Sequence, residues 1–317
     1  MRNRKFKVRF FAILFVLAAV VIAVALLLPT INLQSVFSNN VDTAKSEKNT
    51  FSDVKFKSQD KNGREMRVAA DSVNEQDVSN FKLNNVTSEF ALSEDDTATI
   101  VADTTDVVRG NSNQCTLSGN VKLTTKSGLV LETQQSFADF DKNFIHGDTA
   151  VIITHKSTNL CGDSYSFDAD KRILTLIGHA KGIMNTNVVT SDELTIIFAN
   201  DNGQMVVKNI EARGNVNLSY EVRNQKYNIR SQHLTALLDD SGNVTEVVSD
   251  SFLTVKTETG IIRANSGTFK DGIVKAHGNV AVISDNGDVF GDNATLNIET
   301  GEVSINKSSG IVGDGRR

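Results

Sequence analysis

Apolar and polar residues alternate along most of the chain from Phe51 onward. The alternation is clearest in the segments 121–123, 194–198, 216–220, 253–255, 280–282 and 296–298. A period of two places every second side chain on the same face of a strand, so these segments predict half-buried β-strands. Turn signals that contain glycine, such as Lys-Ser-Gly at 126–128, separate them at intervals of roughly 8 to 12 residues. The pattern predicts an all-β protein made of consecutive antiparallel strands.

A short sequence motif recurs several times within this pattern. A glycine, often flanked by His or Asn, stands near each repeat start, at Gly119, Gly147, Gly178, Gly214 and Gly278, with a degenerate copy near Asp250. We interpret each glycine as the opening of a strand that is followed by a hairpin turn and a second strand. The spacings of 28 to 36 residues are typical of a solenoid-like stack in which each unit pairs with its neighbours.

The first 28 residues follow a different pattern. Five basic residues lie within positions 1–9, and positions 10–28 hold 19 residues without a charge. At about 1.5 Å rise per residue, a helix of this length spans roughly 28 Å, close to the hydrocarbon core of a bilayer. We predict an uncleaved transmembrane anchor with its basic end in the cytoplasm and the chain beyond Pro29 across the membrane. The apolar residues chosen to represent this anchor are Phe10, Leu14, Leu17, Val21 and Leu28.

A cleaved signal peptide is the alternative to the anchor. Ala23 and Ala25 form an Ala-x-Ala pair, but this pair lies inside the apolar run, and 19 residues exceed the usual hydrophobic region of a signal peptide. Residues 29–50 are polar and show no sustained period, so they are predicted to form a linker.

Charge and cysteine content narrow the function classes. Beyond the basic N-terminal segment, 28 Lys and Arg residues stand against 38 Asp and Glu residues, so the exported part is acidic. Nucleic-acid binding normally needs a basic face and is not expected. Cys115 and Cys161 are either two small buried hydrophobes or a disulfide, because two cysteines define no spacing pattern.

No motif for catalysis or metal binding stands out. The five histidines show no zinc-protease spacing, and the acidic turn at 139–143 lacks the glycine and the closing glutamate of a calcium loop. The phosphate-binding loop and the nucleophile elbow are absent from the sequence as well. We therefore expect no enzymatic activity, no catalytic residue, no metal and no cofactor.

Two sets of motifs carry a family resemblance. FSDVKFKSQDKNGREMRVAADS at 51–72 and LSGNVKLTTKSGLVLETQQSFADFD at 117–141 resemble the LptC family of membrane-tethered lipopolysaccharide export proteins, over roughly residues 1–185. Between 186 and 306 the segments SDELTIIF, ARGNVNL, SQHLTALLDDSGNV, ANSGTF, AHGNVAV and GDNATLNI are similar to the soluble LptA (OstA) bridge proteins. The chain is longer than a usual LptC, and it resembles an LptC unit continued by an LptA-like unit.

The resemblance implies a fold and a division of the chain. The implied fold is a single N-terminal transmembrane helix followed by an elongated, taco-shaped antiparallel β-jellyroll of the OstA type, in two units stacked end to end. The implied segments are a cytoplasmic basic segment at 1–9, the anchor helix at 10–28, a linker at 29–50, an LptC-like jellyroll at 51–185, an LptA/OstA-like jellyroll at 186–306 and a flexible tail at 307–317.

The resemblance also implies a function in Gram-negative outer-membrane biogenesis. The protein would sit in the inner membrane as a single-pass protein, with its N-terminus cytoplasmic and its bulk periplasmic. It would receive lipopolysaccharide, held by its acyl chains, from an inner-membrane ABC transporter. It would pass the lipid along a hydrophobic groove to a periplasmic bridge protein LptA, or to the outer-membrane lipopolysaccharide translocon, through edge-strand pairing.

The candidate groove residues are apolar positions of the alternating strands. A slip of one residue in register would move a whole set to the opposite face. The candidates are Val121, Leu123, Leu129, Leu131, Phe140, Val216, Leu218, Tyr220, Leu253, Val255, Val280 and Val282. The alternative function is a membrane-anchored structural or adhesive β-solenoid with a closed core and no lipid groove.

Overall fold

A computed structural model describes most of the chain from Thr50 onward. The described ranges are 50–59, 65–77, 80–91, 97–108, 114–139, 141–184, 186–201, 204–222, 225–239, 244–258, 260–284, 287–297, 300–306 and 309–311. The predicted anchor, nearly all of the predicted linker and most of the predicted tail lie outside these ranges. Within them, no helix is long and apolar enough to cross a bilayer.

All regular structure in the described ranges is antiparallel β-structure, which confirms the all-β prediction. The strands are β1 (Thr50–Gln59), β2 (Glu65–Glu75), β3 (Asn80–Ala91), β4 (Thr97–Val108), β5 (Gln114–Thr125), β6 (Leu129–Asp139), β7 (Phe144–Gly147), β8 (Val151–His155), β9 (Thr158–Gly162), β10 (Ser164–Asp168), β11 (Ile173–Met184), β12 (Asn187–Asp201), β13 (Gln204–Val222), β14 (Gln225–Leu238), β15 (Val244–Ser249), β16 (Leu253–Lys256), β17 (Gly260–Ala264), β18 (Ser266–Lys270), β19 (Ile273–Ser284), β20 (Gly287–Asn297), β21 (Val303–Asn306) and β22 (Ser309–Ile311).

The strands form two compact units. The first unit holds the described residues up to Lys156 together with Asp163–Leu174, and the second holds Ser157–Gly162 and the described residues from Thr175 onward. In the first unit, β1 to β6 pair in chain order, each with the next. In the second unit, β12, β13 and β14 also pair in chain order. The domain boundaries inferred from the sequence stay predictions.

Four of the five recurring glycines lie in the middle of strands, whereas Gly147 is the last residue of β7. Gly119, Gly178, Gly214 and Gly278 have positive φ angles between 71° and 77° and fall inside β5, β11, β13 and β19. The residue after each of them also has a positive φ, and in β5, β13 and β19 the pairing register shifts at this point. Our interpretation that these glycines open a strand is therefore wrong. Two successive left-handed residues bend one strand, so the strand inferred to begin at each of these glycines is the second half of a longer strand.

A polar side chain from the preceding strand holds several of these bends. Asn120 Nδ2 donates to Asp103 Oδ2 over 2.9 Å, and Asn215 Nδ2 donates to Asp192 Oδ2 over 2.8 Å. A β-carbon added to Gly119 would collide with the Asp103 side chain. The bend thus requires glycine both for its positive φ and for the close approach of the carboxylate.

Long strands also divide their pairing between two shorter strands. In the first unit, β6 pairs with β8 through residues 129–133 and with β7 through 137–139. In the second unit, β14 pairs with β16 through 228–230 and with β15 through 235–238. The paired strands of the second unit form two series. We call the first series the front ladder, and it consists of the first half of β14, then β16, β17 and the second half of β19. We call the second series the back ladder, and it consists of the second half of β14, then β15, β18 and the first half of β19.

The same strand order occurs twice along the chain. β6–β12, the first repeat, and β14–β20, the second repeat, each contain one long strand, four short strands and two long strands. The pairings of β7 with β10 and β9 with β11 return as those of β15 with β18 and β17 with β19. β8 begins at Val151 and β16 at Leu253, and β12 begins at Asn187 and β20 at Gly287. The structural repeat is therefore 100 to 102 residues long, not the 28 to 36 residues suggested by the glycines.

Both cysteines are free thiols. Cys115 is buried, and Cys161 is partly buried. Burial, together with the nearby charge of Asp106, raises the pKa of Cys115 to about 12. A thiol that stays protonated is unreactive toward oxidation, so Cys115 behaves as a small core residue.

Candidate functional site

In the first unit, one row of apolar side chains crosses four neighbouring strands. Ile100 lies opposite Leu123, Leu123 opposite Leu131, and Leu131 opposite Ile153. Each of the four is at most 5% exposed. Since directly opposite residues of paired strands point to the same face, this row forms a closely packed inner surface.

The remaining first-unit candidates lie beside this row or outside the described residues. Val121 and Leu129 are each two residues from a member of the row and are buried, whereas Phe140 is not among the described residues. Lys122 points to the opposite face, where its Nζ lies 2.7 Å from Glu132 Oε1. Contact between lipid and the first-unit candidates stays a prediction.

A corresponding row crosses the second unit. Leu218 lies opposite Ile229, Ile229 opposite Val255, Val255 opposite Ile262, and Ile262 opposite Val282. Val255 and Ile262 are buried, while Leu218, Ile229 and Val282 are partly exposed. The inner face of this unit is therefore apolar but incompletely covered.

The other second-unit candidates belong to the same inner face. Val216, Leu253 and Val280 are buried, and Tyr220 is half-buried. The Tyr220 ring lies 6.2 Å from the Phe269 ring, measured between centroids. Tyr220 extends the front ladder, because it lies opposite Tyr227 on β14, and Phe269 belongs to the back ladder. This aromatic contact joins the two ladders.

A cavity of about 430 Å³ opens between the two ladders of the second unit. Tyr227, Ile262 and Val282 line it from the front ladder, and Leu296 and Val303 line it from strands that continue the back ladder. The volume falls within the range of roughly 300 to 1,000 Å³ typical of ligand pockets. Because Ile262 and Leu296 also belong to the hydrophobic core cluster, the cavity leads directly into the apolar interior.

Polar residues surround the cavity. Lys226 and Glu258 contribute charged side chains to the lining, and Thr257, Ser284 and Thr300 contribute hydroxyls. Burial, and secondly the negative charge of Glu258, raises the pKa of the Tyr227 hydroxyl, so Tyr227 is neutral at physiological pH. The site can accept an apolar chain in its interior and meet a polar group at its margin.

Comparison with known protein families identifies the chain. The family model described as lipopolysaccharide-assembly, LptC-related, matches residues 14–185, which is more than half of the 317 residues. The chain belongs to the LptC family. It is therefore a periplasmic component of lipopolysaccharide transport.

One solved structure and the curated proteins complete the comparison. The chain is similar to LptH, the LptA-homologous periplasmic component of the conserved lipopolysaccharide transport device from Pseudomonas aeruginosa. The identity is 9%, the TM-score is 0.24, and the match covers 49% of this LptC-family chain and 94% of LptH. No curated protein matches the chain.

This LptC-family chain also carries a polar cluster on the outer face of β13 and β14. His233 Nδ1 lies 2.8 Å from Asp250 Oδ1, and His233 Nε2 lies 2.7 Å from Glu211 Oε1. Burial alone would raise the pKa of Glu211, but hydrogen bonds from Arg213 and His233 outweigh it and hold the pKa below its usual range. The Ser251 hydroxyl contacts the backbone N–H of His233, not its ring. The cluster ties strands together and is not arranged for nucleophilic attack.

Metal ligation has no candidate group in the ranges that the structure describes. No set of three or more His, Cys, Asp or Glu side chains is arranged there to hold an ion. The cluster at His233 illustrates the reason, because its two carboxylates contact opposite ring nitrogens and so do not converge on one point.

Val282 is the one groove candidate among the residues that line the cavity, and the lining residues missed from the sequence include Tyr227, Ile262 and Leu296. Ile262 sits in the apolar pair Ile261-Ile262, where alternation does not show which residue faces inward. Leu296 carries a clear alternating signal in 294–298, and this signal could have identified it.

Proposed function

We propose that this LptC-family protein is a membrane-tethered periplasmic carrier that binds lipopolysaccharide by its acyl chains between two β-ladders. It receives the lipid from an inner-membrane ABC transporter and passes it to a periplasmic bridge protein of the LptA type, or to the outer-membrane translocon. Residues 10–28 form its anchor in the inner membrane, and the strands from Thr50 onward lie in the periplasm.

The cavity of about 430 Å³ in the second unit carries this proposal. Its inner wall consists of Ile262, Val282 and Leu296, so an acyl chain that enters it leaves water for apolar surface. An acyl chain with about 12 CH₂ groups, at roughly 0.8 kcal/mol each, gains on the order of 10 kcal/mol from such burial. A carrier in a water-filled compartment needs such an apolar cavity, because exposing the acyl chain to water would cost the same free energy.

The inner faces of the two units support a path along the strands. The row from Ile100 to Ile153 in the first unit and the row from Leu218 to Val282 in the second are both apolar. We propose that the groove candidates of both rows contact lipid during transfer. The edge near β1 faces the transporter, and the edge near β20 faces the next jellyroll, because the edges of a sheet offer unpaired N–H and C=O groups for strand addition.

Site-specific photocrosslinking in cells tests the proposal. A photoreactive amino acid is placed in turn at Leu123, Leu218 and Val282, with outward-facing Lys122 as the matched control. We expect lipopolysaccharide adducts at the three inward positions and none at Lys122. Adducts at Leu218 and Val282 alone would restrict the lipid path to the second unit.

The closed β-solenoid remains the second candidate function, and one observation favours it. The first-unit row is at most 5% exposed, as in a sealed core. If none of the three inward probes gives a lipid adduct while the protein is folded and membrane-bound, the carrier function is wrong and the closed solenoid is favoured.

A further inference from the structure

One buried position on the inner face of the second unit carries no side chain. This position is Gly182 of β11, which lies opposite Leu160 of β9. The next apolar positions along the same face are Val189 of β12 and Leu218 of β13, which lie opposite each other. Leu160 and Gly182 are buried, and Val189 is half-buried. Because Gly182 has no β-carbon, other side chains can occupy its place in the inner face.

Three apolar side chains fill this place. A β-carbon added to Gly182 would lie 3.1 Å from Val189 Cγ1, 3.4 Å from Leu160 Cδ2 and 3.5 Å from Leu194 Cδ2. Carbon atoms pack best at about 3.5 to 4.0 Å, so a single added carbon atom would already touch or crowd its neighbours. A hydrocarbon chain therefore does not fit between these side chains and Gly182.

Leu194 reaches Gly182 from the other half of β12. The pairing of β12 with β13 shifts register within residues 190–193. Val189 lies before this shift, in the half whose pairing leads through β13 into the front ladder. Leu194 lies after it, in the half whose pairing leads into the back ladder. Side chains from both halves thus meet at Gly182, and the interior between them is closed there.

The equivalent place in the second repeat has the opposite distribution of side-chain volume. Val282 stands at the position of Gly182, and Ala294 stands at the position of Leu194, each one hundred residues later. The single methyl group of Ala294 cannot extend as far as a leucine side chain, and Val282 lines the cavity of about 430 Å³. The closed interior is therefore found where a leucine crosses from the back half to a glycine.

We propose that Leu194, together with Leu160 and Val189, forms a gate over Gly182, and that acyl chains reach the cavity only when the Leu194 side chain turns away. The gate rests on the proposed carrier function and names the residues that control passage along its lipid path. Leucine can change between staggered rotamers without breaking a backbone hydrogen bond, so the strands stay paired while the gate opens. Glycine at position 182 gives the closed leucine its place.

Photocrosslinking on both sides of the gate tests the proposal. The photoreactive amino acid is placed at Leu123 or at Val282 of the full-length protein in cells, and the lipopolysaccharide adduct is quantified at each. Gly182→Val adds a side chain where the interior is already full. We expect this variant to lower the Val282 adduct at least fivefold while the Leu123 adduct stays at or above its wild-type level.

Removal of the gate residue should have the opposite effect. Leu194→Ala leaves the position of the crossing side chain empty, so we expect the ratio of the Val282 adduct to the Leu123 adduct to rise at least twofold. Leu234→Ala is the matched control, because Leu234 is also buried and lies two strands further along the same back row, opposite Ala212. We expect this control to keep the wild-type ratio.

An exchange of the residue pair separates closure of the gate from misfolding. Gly182→Val combined with Leu194→Ala copies the pair Val282 and Ala294 of the second repeat. It adds three carbon atoms at one position and removes three at the other, and volume-conserving changes are the best tolerated in a core. We expect the combined variant to restore the Val282 adduct to at least its wild-type level.

Two results would overturn the gate. An unchanged Val282 adduct in folded, membrane-bound Gly182→Val would mean that lipid does not pass Gly182. A Val282 adduct that stays low in the combined variant would mean that the volume between the two halves does not control passage. In both cases the wild type still gives adducts at Leu123 and Val282, whereas a failed carrier function gives none there.

Discussion

Positions 182 and 282 are equivalent in the two repeats, but the space around them differs. Gly182 lies opposite Leu160, and Val282 lies opposite Ile262. A β-carbon added to Gly182 would lie 3.1 Å from Val189 Cγ1 and 3.4 Å from Leu160 Cδ2. Val282 already carries a branched side chain and still lines a cavity of about 430 Å³.

This difference shows that strand order and register do not determine whether the interior is filled. Both repeats use the same sequence of long and short strands, yet side chains stand close around Gly182, whereas Val282 lines a cavity. The distinguishing features are side-chain volume and the strand that covers the far edge, which is β13 after the first repeat and the short β21 and β22 after the second. An open or a sealed interior is therefore a matter of packing, and substitutions can test it.

The largest expected effect comes from a buried charge. Leu131 is 2% exposed, so Leu131→Asp places a carboxylate in a filled interior, where it costs more than about 4 kcal/mol of unfolding free energy. Val282→Asp faces the cavity and should cost less than about 2 kcal/mol, because water can reach the carboxylate. Guanidinium unfolding followed by circular dichroism measures both. Equal losses would mean that the cavity is closed to water.

Added volume should give a smaller effect of the same kind. Gly182→Val forces two methyl groups against Val189 and Leu160 and should cost about 2 kcal/mol, as overpacking does elsewhere. Val282→Phe adds more volume but extends into the cavity, so we expect a change of less than about 0.5 kcal/mol. The same unfolding measurement checks both variants, and a severe loss in Val282→Phe would contradict the open second repeat.

Acid sensitivity should come from the turns of the first repeat. Burial alone would raise the pKa of Asp139 and of Asp168, but in each case hydrogen bonds from the lysine three residues later outweigh it and lower the pKa. The lysine Nζ lies 3.0 Å from Asp139 and 2.8 Å from Asp168. Lys270 occupies the equivalent position to Asp168 in the second repeat.

A carboxyl group with a lowered pKa stabilises the fold above its unfolded pKa of about 3.9, and this stabilisation is lost as the pH falls through the folded pKa. Asp139→Asn should therefore cost about 1 kcal/mol at pH 7, because the exposed lysine is screened by solvent, and nothing at a pH below the folded pKa. Unfolding curves of wild type and variant across this pH range measure the difference. A constant difference at all pH values would point to lost packing instead of lost charge.

Much of the strand pattern followed from alternation alone. Val121, Leu123, Leu129 and Leu131 face inward as their spacing of two residues requires, and Lys122 faces outward. Period two is a local property of the backbone, so a single sequence reveals it. The inner face of these strands could therefore be predicted, whereas the adjacent pair Ile261-Ile262 left the inner face of its strand open.

The bends and the cavity could not be predicted in the same way. Gly119 with Asn120 has the composition of a hairpin turn, and only the position of Asp103 on the neighbouring strand shows that the chain continues in the same strand. The 100-residue repeat is a repeat of strand pairing, which few identical residues mark. The cavity depends on how Leu296 and Val282 meet across two ladders, and this is a long-range property of the packed structure.

The bends at Asn120 and Asn215 should also influence how such a protein responds to strain. Each bend is held by its own carboxylate, from Asp103 and Asp192, so each has a separate cost of opening. Separating one pair of strands then breaks the hydrogen bond at one bend and leaves the hydrogen bond at the next bend intact. A bulky molecule passing along these strands would meet a series of small barriers instead of one large barrier.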